Sequence, residues 1–219
     1  MVKEKLLNIY YRLLERYGPQ HWWPGQGPFE VMVGAVLTQS AAWTNVEKAI
    51  RNLRETGALS PKALRRLSVS ELAALIFPSG YYNAKALKLK ALADYLGKYQ
   101  DDLDRLFAVG TCQLRRELLG VHGIGEETAD SILLYAAGRP VFVVDAYTRR
   151  IFGRAGLVPA RGSYTDYQSL FMENLPADVG LFNEYHALLV CLGKNVCRRR
   201  PLCQQCCLNG DFCRFGEAS

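Results

Sequence analysis

Only one run in this 219-residue chain has the look of a β-strand, Val141-Phe142-Val143-Val144, and four residues without a partner cannot make a sheet. Elsewhere the apolar residues recur at helical spacing. Leu6, Leu7, Tyr10, Leu13, Leu14 and Tyr17 define a first amphipathic helix that stops at Gly18-Pro19. Pro28 opens a second through Val36 and Leu37, and a third around Val46, Ile50 and Leu53 ends at Gly57. Ser68-Val69-Ser70-Glu71 has capping-box spacing before Leu72, Leu75 and Ile76, with Pro78-Ser79-Gly80 breaking the chain afterwards. Short helices are expected around 101–108 and 111–119. The pattern predicts an all-α protein with short connections and no repeat or long linker.

A chain that is 49% hydrophobic and 22% charged has enough apolar surface for a core. No apolar run approaches the roughly 18 residues that a membrane span needs. Met1-Val2-Lys3-Glu4-Lys5 leads into a mixed stretch unlike a signal peptide, so a cytoplasmic protein without membrane contact is expected. Lys and Arg number 27 against 21 acids, a formal charge of +6 that permits a polyanionic partner without requiring one. Lysines 85, 88, 90 and 98 in the amphipathic segment 82–99 read as a solvated helix face.

Seven cysteines need placing. Cys112 and Cys191 stand alone in apolar helical contexts and are expected as buried thiols. The other five crowd near the end, as Cys197-x5-Cys203-x2-Cys206-x6-Cys213 with Cys207 alongside. Nothing signals secretion, so metal ligation is preferred to disulfides. Cys207 is the alternative to Cys206, and the inner C-x-x-C favours Cys206. Four thiolates suit either zinc or an iron–sulfur cluster. Arg198, Arg199 and Arg200, inside the first cysteine loop, suit either solvent or phosphate.

The most informative stretch is Leu118-Leu119-Gly120-Val121-His122-Gly123-Ile124-Gly125-Glu126-Glu127-Thr128-Ala129-Asp130. One helix ends, a tight turn uses Gly123 and Gly125 with Ile124 as its inward anchor, and another helix begins. Such a turn is an ordinary αα-hairpin or a phosphate cradle. Twenty residues after Gly125, Asp145 follows the apolar run and opens a helix, where it can serve as an N-cap.

Hairpin, apolar run, Asp145 and terminal cysteines, in this order and spacing, resemble the helix-hairpin-helix DNA glycosylases of the endonuclease III superfamily over nearly the whole chain. The resemblance implies two helical lobes with the active-site cleft between them. A six-helix lobe, 29–139, ends in the hairpin. Residues 1–28 and 140–219 form the second lobe, with a [4Fe–4S] loop at 197–213 held by Cys197, Cys203, Cys206 and Cys213. Asp145 matches the catalytic aspartate. Bifunctional members carry a Schiff-base lysine where this chain has Glu127, and a carboxylate cannot form that imine, so a monofunctional glycosylase is expected. The cysteine loop with its three arginines, the hairpin residues His122, Gly123, Gly125 and Thr128, and Gln39 as the filler of the vacated base position are the implied DNA contacts.

Trp-Trp-Pro near the N-terminus and Trp43 after the Thr-Gln segment look most like the 3-methyladenine branch. Trp22, Trp23, Pro24, Trp43, Glu127 and Lys194 are the implied base pocket. Tandem tryptophans can equally be core, and Lys194 can simply oppose a helix dipole. His186 reads as a hydrogen-bonded core histidine. Damaged double-stranded DNA is the expected partner, the protein a monomer in a prokaryotic cytoplasm, associated with the nucleoid. The rival expectations are the same fold acting on uracil, mismatched thymine or an oxidised base, and a non-catalytic DNA-binding module.

Overall fold

A computed structural model of the protein describes residues 2–23, 25–159 and 161–217. Among these it contains twelve α-helices, a π-helical turn and short 3-10 turns, with no strand. No helix among them is long and apolar enough to cross a membrane. Two compact units divide the chain, one formed by Met1–Trp23 with Pro140–Ser219 and the other by Pro24–Arg139.

Helix α1 (Val2–Tyr17) belongs to the first unit. The contiguous unit follows with α2 (Pro28–Leu37), α3 (Trp43–Glu55), α4 (Pro61–Arg66), α5 (Val69–Leu75), α6 (Tyr82–Gly97), α7 (Leu103–Ala108), α8 (Thr111–Leu119) and α9 (Glu126–Ser131), which runs on as the π turn Ile132–Ala136. Six helices are implied by the resemblance and eight α-helical segments are found. Ser60, Ser68 and Asp102 each cap a new short helix with a side-chain oxygen, and each break splits what could have been one rod. The Ser68–Glu71 capping box is present in both directions. Helix α2 is buried from Glu30 to Leu37 and forms the axis on which α3, α6 and α9 pack. A helix apolar all round belongs inside.

The first unit resumes with α10 (Ala146–Arg154), α11 (Tyr164–Met172) and α12 (Val179–Asn195). Leu6, Ile9 and Leu13 of α1 bury against α12. The run from Val141 to Val144 is buried and forms no ladder with another strand among the described residues. Side chains meet its backbone instead: Gln168 Nε2 donates to Phe142 O at 2.8 Å, and the N–H groups of Phe142 and Val144 donate to Met172 Sδ at 3.3 Å and Tyr164 Oη at 3.2 Å. Phe142 stacks on Phe171 with ring centroids 3.7 Å apart, and Phe152, Phe182 and Tyr185 close edge-on around the pair. Tyr185 Oη donates to Leu6 O at 2.9 Å, which gives this buried hydroxyl the partner it needs. The segment that leads to Asp145 is thus a core plug.

The lysine-rich helix overturns the solvated-face reading. Lys85 is 2% exposed, and its Nζ donates to Leu37 O at 2.8 Å and Ser79 O at 2.7 Å. Lys90 caps the end of α4 through the carbonyls of Leu64, Arg65 and Leu67. Lys88 bonds to Gln39, and only Lys98 is exposed. These cations satisfy carbonyls left open at helix ends and turns, which an amphipathicity count does not register. Cys112 also departs from expectation. It is exposed, because it lies in the first turn of α8 away from Leu114 and Leu118, and Cys191 is half-buried.

Candidate active site and cysteine centre

Asp145 caps α10. Its Oδ1 accepts the Thr148 backbone N–H at 2.7 Å, while its Oδ2 lies 3.7 Å from His186 Nε2 on α12. The Asp145 side chain is 12% exposed and His186 is 5% exposed. Burial pushes the carboxyl pKa up, but His186 and the Thr148 amide outweigh it and hold the value below the usual carboxylate range. The group is therefore ionised at neutral pH. Capping and ionisation coexist here, since one oxygen serves the helix and the other faces His186. His186 is a core residue, as expected, but its pairing with Asp145 was invisible along a chain separation of 41 residues.

The far end of the same helix reaches the cysteines. Arg150 donates through Nε to Cys197 O at 2.6 Å and through a terminal nitrogen to Gly193 O at 2.8 Å. Arg154 donates to Arg198 O at 2.7 Å and Arg199 O at 3.0 Å, and lies 3.3 Å from Cys197 Sγ. Its guanidinium also sits over the Phe215 ring. One nine-residue helix thus carries Asp145 at its start and anchors the cysteine loop at its end. Neither arginine stood out in the sequence, where Arg149, Arg150 and Arg154 look like an ordinary basic helix face.

None of the seven cysteines is in a disulfide. Cys197, Cys203, Cys206 and Cys213 line one cavity of about 20 Å³, with Arg154 and Phe215 in its wall. Cys207 does not line it. It lies near Tyr17 of α1, whose hydroxyl is pushed up to about 12 by burial and by the thiols of Cys207, Cys191 and Cys206. Among the described residues no three His, Cys, Asp or Glu side chains group as they would around a single metal ion. Four sulfur donors facing a common cavity fit a group that ligates through several metals. Arg198, Arg199 and Arg200 are exposed, their loop held from behind by Arg154.

In the contiguous unit, the hairpin between α8 and α9 buries Ile124, whose N–H bonds to Val121 O at 3.1 Å. Only one of the two flanking glycines needs the left-handed region, Gly123 at φ +79°. A methyl group there would also overlap the Lys88 side-chain carbons. Gly125 has φ −95°, is exposed, and a Cβ on it would meet no atom of the protein. Internal packing therefore explains Gly123 and leaves Gly125 unexplained. His122 and Glu127 are exposed. Thr128, expected at the surface, is buried, with its hydroxyl turned inward to accept from Gln39.

The tryptophans fall in different units. Trp22 and Trp23, joined by a cis peptide, pack edge to face with centroids 5.6 Å apart and are half-buried. Trp43 opens α3, and its indole N–H donates to Glu47 at 2.8 Å. Pro24 lies outside the described residues. Lys194, in the last turn of α12, is exposed. The sequence reading missed an exposed aromatic edge before α6, where Phe77 and Tyr81 are largely bare and Tyr81 takes φ +47°.

The comparisons bear on this geometry. The profile of the HhH-GPD superfamily of base excision DNA repair proteins matches residues 33–177. A Methanocaldococcus jannaschii protein, provisionally named a DNA repair glycosylase, is 42% identical over 212 residues, 96% of each chain. A trapped endonuclease III–DNA covalent intermediate superposes over 100% of this chain and 98% of its own with TM-score 0.85 at 23% identity. The Helicobacter pylori 3-methyladenine DNA glycosylase bound to 1,N6-ethenoadenine covers 88% of this chain and 97% of its own, with TM-score 0.75 and 28% identity. The family model over residues 33–177 and the 42% identity to the M. jannaschii protein place the chain in the HhH-GPD superfamily of base excision DNA repair proteins, as a DNA repair glycosylase with the all-α endonuclease III fold.

Proposed function

We propose that the protein is a monofunctional glycosylase that hydrolyses the N-glycosidic bond of alkylated purines in duplex DNA. The observation that carries this reading is the Asp145 carboxylate, kept ionised by His186 and the Thr148 N–H while remaining partly accessible. As the base departs, positive charge develops at C1′. A fixed anion in a poorly hydrated site stabilises that charge and can orient the attacking water. A purine alkylated at N3 or N7 is already cationic and leaves as a neutral base, so no general acid has to protonate it.

Glu127 stands where the family's bifunctional members carry their lysine, and a carboxylate offers no amine for a Schiff base. Trp22, Trp23, Pro24, Trp43, Glu127 and Lys194 are the proposed base-pocket residues. Aromatic faces attract a cationic base by roughly 0.5–2 kcal/mol per good contact. The similarity to the H. pylori 3-methyladenine glycosylase supports this choice of substrate.

His122, Gly123, Gly125, Gln39 and the exposed Arg198, Arg199 and Arg200 are the proposed DNA contacts, with Thr128 acting from inside through Gln39. A Gly125 that no internal packing demands is what a backbone approached closely from outside would need. Cys197, Cys203, Cys206 and Cys213 would hold a [4Fe–4S] cluster, with Cys207 outside the ligand set. Such a cluster would cross-link the loop that presents the three arginines. Base release itself runs through Asp145.

The test is free-base release from duplexes carrying 3-methyladenine, 7-methylguanine, uracil, a G·T mismatch or an oxidised pyrimidine, with borohydride trapping in parallel. Release of the methylated purines without a trapped adduct is expected. Release confined to an oxidised pyrimidine, or a trapped adduct with the native protein, would overturn the reading.

A further inference from the structure

Gln39, in the turn after α2, has its side-chain amide wholly engaged. Its Oε1 accepts from Lys88 Nζ, and its Nε2 donates to Gly123 O at 3.1 Å and to Thr128 Oγ1 at 2.9 Å. One donor on one side and two acceptors on the other fix which way the amide points, and both of its N–H groups are used. Lys88 runs across Gly123, so close that any side chain at 123 would collide with it. A single lysine therefore touches both the hairpin and the residue proposed to fill the vacated base position. Its neighbour Lys85 pins the same turn from behind through Leu37 O.

We infer that Lys88 is a phosphate-responsive latch on Gln39. In the DNA-free protein its ammonium holds the Gln39 amide against the hairpin. A DNA phosphate docking at the hairpin draws the ammonium onto its own oxygens and frees Gln39 for the duplex. The inference rests on the proposed role of the hairpin and Gln39 as DNA contacts. Its chemistry is a competition between acceptors. An ammonium bound to a neutral amide oxygen gains less than one bound to an anionic oxygen, where both partners are charged. Because the Lys88 stem already crosses Gly123, the exchange needs a rotation about the end of the side chain and no movement of the hairpin. Gln39 thereby stays engaged until the backbone has been recognised, so insertion of the amide follows phosphate contact.

Lys88→Met keeps the aliphatic stem over Gly123 and removes the ammonium. Two readouts test the latch, neither of which uses base release. The first is the side-chain amide N–H resonances of Gln39 in the DNA-free protein. These should shift in Lys88→Met toward the positions that the wild-type protein reaches only on adding a short undamaged duplex. The second is duplex affinity between about 50 and 200 mM salt, whose fall should be about 3-fold smaller in the variant, the loss of one phosphate contact.

Unchanged Gln39 resonances in DNA-free Lys88→Met would overturn the latch, and a wild-type salt dependence would overturn the phosphate contact. A wild-type protein that does not bind duplex removes the DNA role and the inference with it. One that binds duplex but releases no base sinks the glycosylase reading and leaves the latch standing.

Discussion

Two aspartates, one in each unit, show how similar burial gives different chemistry. Asp130, on α9, is 0% exposed and closed by a bidentate Arg115, with Nε to Oδ1 at 2.7 Å and a terminal nitrogen to Oδ2 at 3.0 Å. Both of its oxygens are committed to a full cation. Asp145 has one oxygen on a backbone N–H and the other facing a histidine 3.7 Å away, with 12% of the side chain open. A carboxylate neutralised by a fork of two charge-assisted bonds is a cross-link between α8 and α9. One that is held ionised without such a fork keeps its field for whatever positive charge arrives. Sequence alone does not show this difference, since Arg115 and His186 lie 15 and 41 residues away along the chain from the aspartates they meet.

The comparison can be broken by substitution, in order of effect on folding stability. Asp130→Ala leaves the Arg115 guanidinium without its partner and should cost about 3 kcal/mol in denaturant unfolding. Base release per folded molecule should be nearly unchanged. A loss below about 1 kcal/mol would mean that Asp130 is not the structural member of the pair.

Lys85 extends the contrast to a buried cation that meets carbonyls and, among the described residues, no carboxylate. Burial, aided by Lys88, pushes its pKa down to about 8, against about 10.4 in an unfolded chain. Between those values the unfolded state binds the proton more readily than the native state does. The contribution of Lys85 to stability therefore rises as pH goes from 8 to 10.4. Replacing Lys85 by Met should remove about 1–3 kcal/mol of that pH-dependent gain, read as the difference between wild type and variant in denaturant titrations across the window. Parallel curves for the two proteins would show that Lys85 keeps an ordinary pKa.

Much of this was legible in the sequence, for physical reasons that can be named. Helix caps are local, so the Ser68–Glu71 box and the Asp145 cap follow from spacings of three residues. The all-α class follows from periodicity and from the isolation of the 141–144 run. Interactions across long chain separations were not legible. His186 meets Asp145 only because α12 packs on α10, and Lys85 meets Leu37 O only because α6 packs on α2. The lysine helix was misread because a flexible cationic side chain can fold back onto carbonyls, which no hydropathy pattern records. Gly123 and Gly125 looked equivalent in sequence, yet only Gly123 needs its positive φ. The inner C-x-x-C already favoured Cys206 over Cys207 in the sequence, and the placement of Cys206 but not Cys207 on the cavity agrees with that preference.

Asp145→Asn should disturb the fold least and the chemistry most. Asparagine caps a helix about as well as aspartate, so the stability loss at neutral pH should stay within about 1 kcal/mol. The lowered pKa of Asp145 means that its stabilising contribution is present above the unfolded value near pH 3.9 and is lost as pH falls through the folded value. The decisive measurement is single-turnover release of 3-methyladenine from duplex DNA by Asp145→Asn, with denaturant unfolding on the same preparation. A fall in rate of about 10²–10³-fold or more, with stability nearly intact, is the expected result. Turnover near wild type in a stably folded Asp145→Asn protein would return Asp145 to the role of a helix cap and contradict the account.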